Sequence, residues 1–515
     1  MRAMRSISRG IPRSISDALV RRPDLVICLI AAYYVLAVGM RVLRSEGLQN
    51  DEAEQIFQSQ FLLLGYGPQP PFYNWLQYGV IQLIGPSIFA LSLVKNGLLF
   101  LCCLFYGLTA RMLIRDKTLS AIAMLGVLTL PAVTVLSQRD LTHAVATLFA
   151  VSLFLYAFLG ALKRPTFWSY LLTGIATGIG LLSKYNFVIL PVAAIIAVLP
   201  EAELRKRLFD RRVLATIAVT AVMCLPHGLW VLGNLNAATS STIEAMRSDA
   251  SGSAVLDRLE GIGMLLMSAL TGALPPLLFF LFAFRRDLMD AWKAQNLWTR
   301  LTGRMFLLSL LLVGLIGVGL GATNISEKWL SPFLLILPLY LCLKLDAAGA
   351  EARPAIPRLF FPVAVLAVGF LMYIALGNLA APYLGRYEKE NLPSSAFIRN
   401  VLAERGDRPL PAFIATSNTV LAASARMELP DVPVIIPNFA EEAKPQKQHG
   451  LVVWQIRRGD VSMPAELVST LEGMGVTASD LKPATLAVPY LFSGGKDKAL
   501  FGYAWVDAVP VAPAS

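Results

Sequence analysis

Long, almost uncharged stretches follow one another along this chain, and no other feature limits its fold as tightly. A bilayer span needs about 20 mostly apolar residues. Runs of that kind can be drawn at about 25–42, 89–114, 119–136, 141–161, 167–183, 185–200, 212–233, 259–284, 303–321, 329–345 and 359–382. Hydrophobic residues make up 56% of the 515 positions and charged residues only 15%, against about 25% charged in soluble domains. Disorder, a collagen-like fibre and a soluble globule are excluded, which leaves a polytopic α-helical membrane protein of about eleven transmembrane helices.

Basic residues bracket alternate runs. With a cytoplasmic N-terminus holding Arg2, Arg5, Arg9, Arg13, Arg21 and Arg22, alternation puts every later basic loop inside: Arg111/Arg115/Lys117, Lys163/Arg164, Arg205/Lys206/Arg207/Arg211/Arg212, Arg285/Arg286/Lys293/Arg300 and Lys344/Arg353/Arg358. One span more or fewer would throw the later basic loops onto the wrong side. The net charge of +11 is therefore read as a topology signal, with no nucleic-acid partner expected. The Arg-rich start looks like a secretory signal, but Arg41 and Arg44 close the first run and no small-residue cleavage site follows, so it reads as an uncleaved anchor. Cys28, Cys102, Cys103, Cys224 and Cys342 all fall inside apolar runs, so neither disulfides nor structural zinc are expected.

This topology divides the chain into a membrane domain over 1–384, with an external loop at 43–88, and an external domain over 385–515. The tail alternates helix-like and strand-like patches: Ser394–Arg405, Val420–Met427 and Ala465–Met474 helical, Ala412–Ala415, Val432–Ile436 and Leu451–Ile456 extended. A small C-terminal α/β extracytoplasmic domain is expected.

The outer loops hold the unusual chemistry. In the first, Asn50 suits an N-cap, Asp51 and Glu52 suit a first helical turn, and Gly65 suits a stop. An apolar Ile56, Phe57, Phe61, Leu64 face followed by Phe72, Tyr73, Trp75 and Tyr78 reads as two interfacial helices. A carboxylate pair held there can act as a general base or ligate a metal, though capping alone explains it equally well. Asp140, preceded by Arg139, stands where the fourth run opens, with His143 one turn later, and an acid at a helix N-terminus needs no functional reason. Lys184 and Tyr185 lie between the fifth and sixth runs. An external lysine runs against the positive-inside bias and calls for an anionic partner, such as a phosphate held with Arg139, although snorkelling is the plainer account. Lys95, within an apolar run, can meet the same anion or pair with a carboxylate. His227 in Pro226-His227-Gly228 is more readily a structural hydrogen-bonding residue than a ligand, and Glu327-Lys328-Trp329 is a charged step beside a belt tryptophan.

Taken together these segments resemble the GT-C membrane glycosyltransferases, in the protein O-mannosyltransferase-like branch that includes lipid A aminoarabinose transferase and the rhizobial lipopolysaccharide galacturonosyltransferases. The resemblance rests on Asn50-Asp51-Glu52-Ala53, Gly65-Tyr66, Gln69-Pro70-Pro71-Phe72, Asp140-Leu141, Gly178 to Tyr185, Pro226 to Trp230 and Glu327 to Leu330. It implies sugar transfer from a polyprenyl-phosphate donor to a lipid or glycan acceptor, with Asp51 as catalytic carboxylate, Glu52 its partner and Asp140 a further acid. It implies Lys184, Arg139 and Lys328 as contacts of the donor phosphate, and Gln69, Tyr73, Tyr185, His227, Glu327 and Trp329 as pocket residues. No cofactor is certain; a divalent cation, if one is used, would fall to Asp51, Glu52 and Asp140. Gln69 and Lys328 depart from the family, which often carries histidine at those steps. The implied place is a bacterial cell inner membrane, with the N-terminus cytoplasmic and the C-terminal domain periplasmic. Two other classes remain open: a lipid-linked sugar transporter or flippase, and a non-catalytic envelope assembly factor.

Overall fold

The computed structural model describes residues 15–247, 253–439, 449–457 and 460–506. Arg2, Arg5, Arg9 and Arg13, on which the orientation argument leans, lie outside them. Every apolar run is helical. Among the described residues, eight helices are long and apolar enough to cross a bilayer, from Leu25–Arg44 to Ala355–Ala380. A ninth span is formed if Lys117–Val127 and Ala132–Arg139 count as one, bent by 57°. The bend sits before Pro131, which has no N–H to give, and Thr129 and Thr134 hydroxyls cap the carbonyls of Gly126 and Leu128 there. The two remaining runs are short apolar helices, Phe167–Ser183 and Tyr185–Val198. At about 1.5 Å per residue neither reaches the roughly 30 Å of a hydrocarbon core. The break between them falls at Lys184, whose backbone is extended.

His143–Lys163 is the central helix, buried along nearly its whole length and packed between Ile88–Leu113 and Phe167–Ser183. Outer helices turn large apolar side chains outward: Val222 and Val365 are each 72% exposed. In water such a surface would drive aggregation, whereas against lipid tails it costs nothing. The chain is a multi-pass membrane protein.

The tail folds as a mixed sheet of β1 (Phe413–Thr416), β2 (Val434–Ile435), β3 (Gly450–Gln455), β4 (Ala484–Pro489) and β5 (Lys498–Val506) in the order β2-β1-β3-β5-β4. β1 runs parallel to β2 and β3, while β5 runs antiparallel to β3 and β4. Side-chain alternation splits the core in two. Ile414, Leu451 and Val453 meet Phe397 and Leu421 of the Ser394–Ala403 and Thr419–Glu428 helices, while Phe413, Val452 and Trp454 meet Leu467 and Leu471 of Ala465–Gly473.

The first external loop departs from expectation. Its Asn50–Gln58 helix presents no free apolar face, because its apolar side chains are covered by protein. Phe57 enters the core of the C-terminal sheet, and Ala53 and Ile56 pack against Val420 and Ala423. The following helix, Phe72–Ile84, leaves Leu83 84% exposed and does keep an outward apolar end.

The candidate active site

The Asn50–Gln58 helix begins one residue earlier than expected. Gln49 is its N-cap, and the Glu52 carboxylate accepts the Gln49 N–H at 3.1 Å. The helix does not run on to Gly65. That glycine packs under the Trp230 indole, where a Cβ would lie 2.2 Å from a ring carbon.

Consecutive helical residues point about 100° apart, so Asp51 and Glu52 cannot share a face. Asp51 lines a cavity of about 420 Å³, and Glu52 turns away from it. Glu52 is 2% exposed and accepts from Arg41 at 2.9 Å (Nε) and 2.6 Å (Nη2), with Lys95 Nζ at 3.7 Å. Burial alone would raise this carboxyl, but the Arg41 guanidinium and then Lys95 hold it well below the usual carboxylate range. Glu52 is thus a brace between the first span and the site helix, and Lys95 belongs to that brace. The acid that shares the face of Asp51 is Glu54, three residues on, which also lines the cavity and accepts from Gln58 at 2.8 Å. Its i, i+3 spacing from Asp51 was the available sequence signal.

The same cavity is lined by Lys184 and Lys328, whose charges act on Asp51. Lys184 caps the helix end at the break between the two short helices, and Lys328 sits at the start of Glu327–Leu334. Burial and then the nearby Lys328 charge lower the Lys184 ammonium to about 8, against the pull of Asp51. Burial raises the Asp51 carboxyl, opposed by Lys95, Lys328 and the Leu141 backbone amide. Leu141 has φ 77°, a left-handed conformation costly for a branched residue, and Leu141, Thr142 and His143 form one wall.

Asp140 lies just behind that wall, not at the first turn of the span, which begins at His143. Its Oδ1 is buried with no hydrogen-bond partner, and burial followed by the Asp51 charge raises it to about 6. Gln69, Tyr185 and Trp329 line the cavity, joined by Asn186 and Asn324, which sequence reasoning did not single out. Asn186 Nδ2 donates to the Trp329 carbonyl at 3.0 Å, tying the two lysine-bearing segments together.

The other expected residues stand outside. Arg139 is exposed and does not line the cavity, so it does not join the two lysines. Tyr73 is 1% exposed, its ring 5.8 Å from that of His143. Glu327 Oε1 is buried without a hydrogen-bond partner, on the side of Gly272. His227 is a clasp: Nδ1 meets the Leu64 carbonyl at 2.7 Å and must carry the proton, which leaves Nε2 to accept from Tyr185 Oη at 3.1 Å. Its ring lies near-parallel to those of Tyr185 and Trp230, with centroids 5.9 and 5.7 Å away. Because Glu52 is committed to Arg41, the trio Asp51, Glu52 and Asp140 is not a ligand set, and among the described residues no three His, Cys, Asp or Glu side chains gather as one. The cavity can do two things at once: take a proton at Asp51 and hold an anion between Lys184 and Lys328.

Comparison with known proteins gives three findings. Residues 68–230 match the family model described as dolichyl-phosphate-mannose-protein mannosyltransferase. The lipopolysaccharide core galacturonosyltransferase RgtA of Rhizobium johnstonii is 42% identical over 486 residues, covering 93% of this chain and 96% of the relative, and RgtB of the same organism is 42% identical over 487 residues, covering 94% and 97%. The crystal structure of ArnT from Cupriavidus metallidurans bound to undecaprenyl phosphate superposes with a TM-score of 0.59 at 12% identity, over 94% of this chain and 98% of that one, which is a likeness of fold.

Proposed function

The chain belongs to the GT-C membrane glycosyltransferases, in the family that includes the rhizobial lipopolysaccharide core galacturonosyltransferases, and from that premise we propose that it transfers a galacturonosyl residue from a polyprenyl-phosphate donor to an envelope glycolipid. The observation that carries the reading is that Asp51, Lys184 and Lys328 line one cavity, close enough for their charges to act on one another.

The acceptor hydroxyl oxygen attacks the anomeric carbon, the bond from that carbon to the phosphate oxygen breaks, and the electron pair leaves with the phosphate. Asp51 takes the hydroxyl proton as it is lost, a role suited to a carboxylate whose basicity burial has increased. The departing monoester gains negative charge, which Lys184 and Lys328 stabilise more strongly than the ground state. A uronate donor carries a second anion at its own carboxylate, and two cations match two anions. Asp140 adds a like charge behind Asp51 and keeps the pair from both ionising easily. If a divalent cation takes part, Asp51 and Asp140 are the residues to hold it. Support for a polyprenyl donor comes from the undecaprenyl phosphate bound by the protein of like fold.

The site faces the periplasm in this reading, with the N-terminus in the cytoplasm of a bacterial inner membrane. The basic loops support that orientation by converging at the other end of the bundle, where Arg111, Arg115, Lys163 and Arg164 surround one cavity. The C-terminal sheet then lies in the periplasm over the site helix, placed to meet the acceptor.

The test is transfer from a panel of radiolabelled polyprenyl-phosphate sugars, uronic and neutral, by detergent-solubilised protein with lipopolysaccharide core acceptors. Wild type should turn over the uronic donor, and Asp51→Asn should lose about 10²–10⁴-fold of the rate with unchanged melting. Near-normal transfer by Asp51→Asn sinks the assignment of the base, and a chelator arm decides the cation.

A further inference from the structure

A larger cavity, of about 1300 Å³, lies among the basic loops and has no part in the transfer chemistry. It is separated from Asp51 by the length of the membrane bundle. The Asp51 cavity meets the start of His143–Lys163 and this one meets its end, about 30 Å away at the helical rise.

Its rim carries Arg111, Arg115, Lys163 and Arg164 against a single acid, Asp346. Two of the four cations are engaged: Arg111 pairs with Asp24 at 3.0 Å, and Lys163 Nζ donates to the Met112 carbonyl. Asp346 Oδ1 accepts the backbone N–H of Arg115 at 3.3 Å, not its guanidinium. Among the described residues, the guanidinium groups of Arg115 and Arg164 have neither hydrogen bonds nor ion pairs, and both residues are exposed. Deeper in the helices the walls become apolar at Leu108, Tyr156 and Leu172. Two indoles also line it, the half-buried Trp298 and the 73%-exposed Trp168, next to the span ends where such rings meet the headgroups.

A free anion would need the cations but neither the apolar walls nor the indole belt. A zwitterionic lipid would not need the net positive charge that Arg115, Lys163 and Arg164 leave after Arg111 pairs with Asp24. We propose that this cavity is a binding site for an anionic phospholipid, its phosphate on Arg115 and Arg164 and its acyl chains along Leu108, Tyr156 and Leu172. The volume exceeds the roughly 300–1,000 Å³ of ordinary small-molecule pockets and suits a headgroup with the upper parts of two chains. Basic pockets between membrane helices on the cytoplasmic side are a recurring means of holding such lipids. The lipid would tie together the chain segments around 111–115, 163–169 and 295–298, which are brought near one another but joined by few direct bonds. The proposal stands whether or not the sugar-transfer reading does.

The experiment is native mass spectrometry of the full chain, delipidated in detergent and supplied in turn with phosphatidylglycerol, phosphatidylcholine or inorganic phosphate at one concentration. Wild type should retain phosphatidylglycerol in clear excess over phosphatidylcholine, and phosphate should not displace it. Each basic contact near an anionic lipid is worth about a five-fold gain in affinity, so Arg115→Gln/Arg164→Gln should bind about 30-fold more weakly. Equal retention of phosphatidylcholine, displacement by phosphate, or undiminished binding by the double variant overturns the proposal. As a measurement independent of that variant's folding, phosphatidylglycerol with a photoreactive acyl chain should label wild type within 156–172 or around Leu108. Labelling confined to other segments also overturns it.

Discussion

Replacing Glu52 by glutamine separates a structural brace from a catalytic acid. The Glu52 carboxylate is 2% exposed, accepts two bonds from Arg41 at 2.9 and 2.6 Å, and lies 3.7 Å from Lys95 Nζ. The amide keeps the shape and removes the one negative charge between two buried cations. At an effective dielectric of about 20, a unit charge 3.7 Å away is worth about 4 kcal/mol. Removal of one member of a buried pair costs about 3–5 kcal/mol, so the two routes agree. Because the carboxyl is held well below the usual range, its contribution is fully present above the ordinary glutamate value of about 4.3 and is lost only as pH falls below it. A measurement at pH 7 therefore sees all of it. The assay is thermal unfolding of purified protein in detergent, followed by tryptophan fluorescence, for Glu52→Gln, Arg41→Gln and the double variant. Glu52→Gln should melt well below wild type, and the double variant should be less destabilised than the sum by about 0.5–3 kcal/mol. Protein that remains folded should turn over within a few-fold of wild type. An unchanged midpoint with lost turnover would refute the brace and return Glu52 to the catalytic set.

The pH profile of kcat/KM should be bell-shaped. The rate should rise as Asp51 loses its proton, at a pH above the ordinary carboxylate range because burial raises that carboxyl, and fall through about 8 as Lys184 loses its own. Initial rates at low donor concentration will show whether Lys184→Arg moves the alkaline limb upward, and a limb still near 8 removes Lys184 from the assignment. Lys184→Gln should cost about 10²–10³ in kcat, read in the same transfer assay. Gly65→Ala should destabilise by about 1–3 kcal/mol, because its Cβ would sit 2.2 Å from the Trp230 ring, and the melting midpoint checks this. Glu390 is buried and accepts from Arg44, Gln49 and Asn378, so Glu390→Gln should loosen the C-terminal domain from the first loop. Limited proteolysis should then cleave near residues 381–392 faster than in wild type.

Much of this protein is legible from local composition. An apolar run in lipid must satisfy its own backbone hydrogen bonds, and helices do so within about 20 residues, so the helical membrane class follows from the sequence alone. The same holds for three tail helices and three strands, whose periodicities are local. The β4–β5 hairpin was less visible, although Gly494-Gly495 marks its turn, because only pairing of Trp454 with Gly502 across the sheet explains its glycine. Asp51, Lys184, Lys328, Gln69, Tyr185 and Trp329 were each conspicuous in the sequence, but their meeting in one cavity joins segments far apart in the chain. The sequence could not say which of two adjacent acids faces that cavity. Helix geometry forbids both, and the choice is made by Arg41 and Lys95 on one side and by Phe57 seated in the C-terminal core on the other. Local hydrophobicity decides which segments enter the membrane, because the transfer of each segment is nearly independent of the rest. The direction of a buried charge is settled only by the partners that compensate its desolvation, and those are supplied by the tertiary structure.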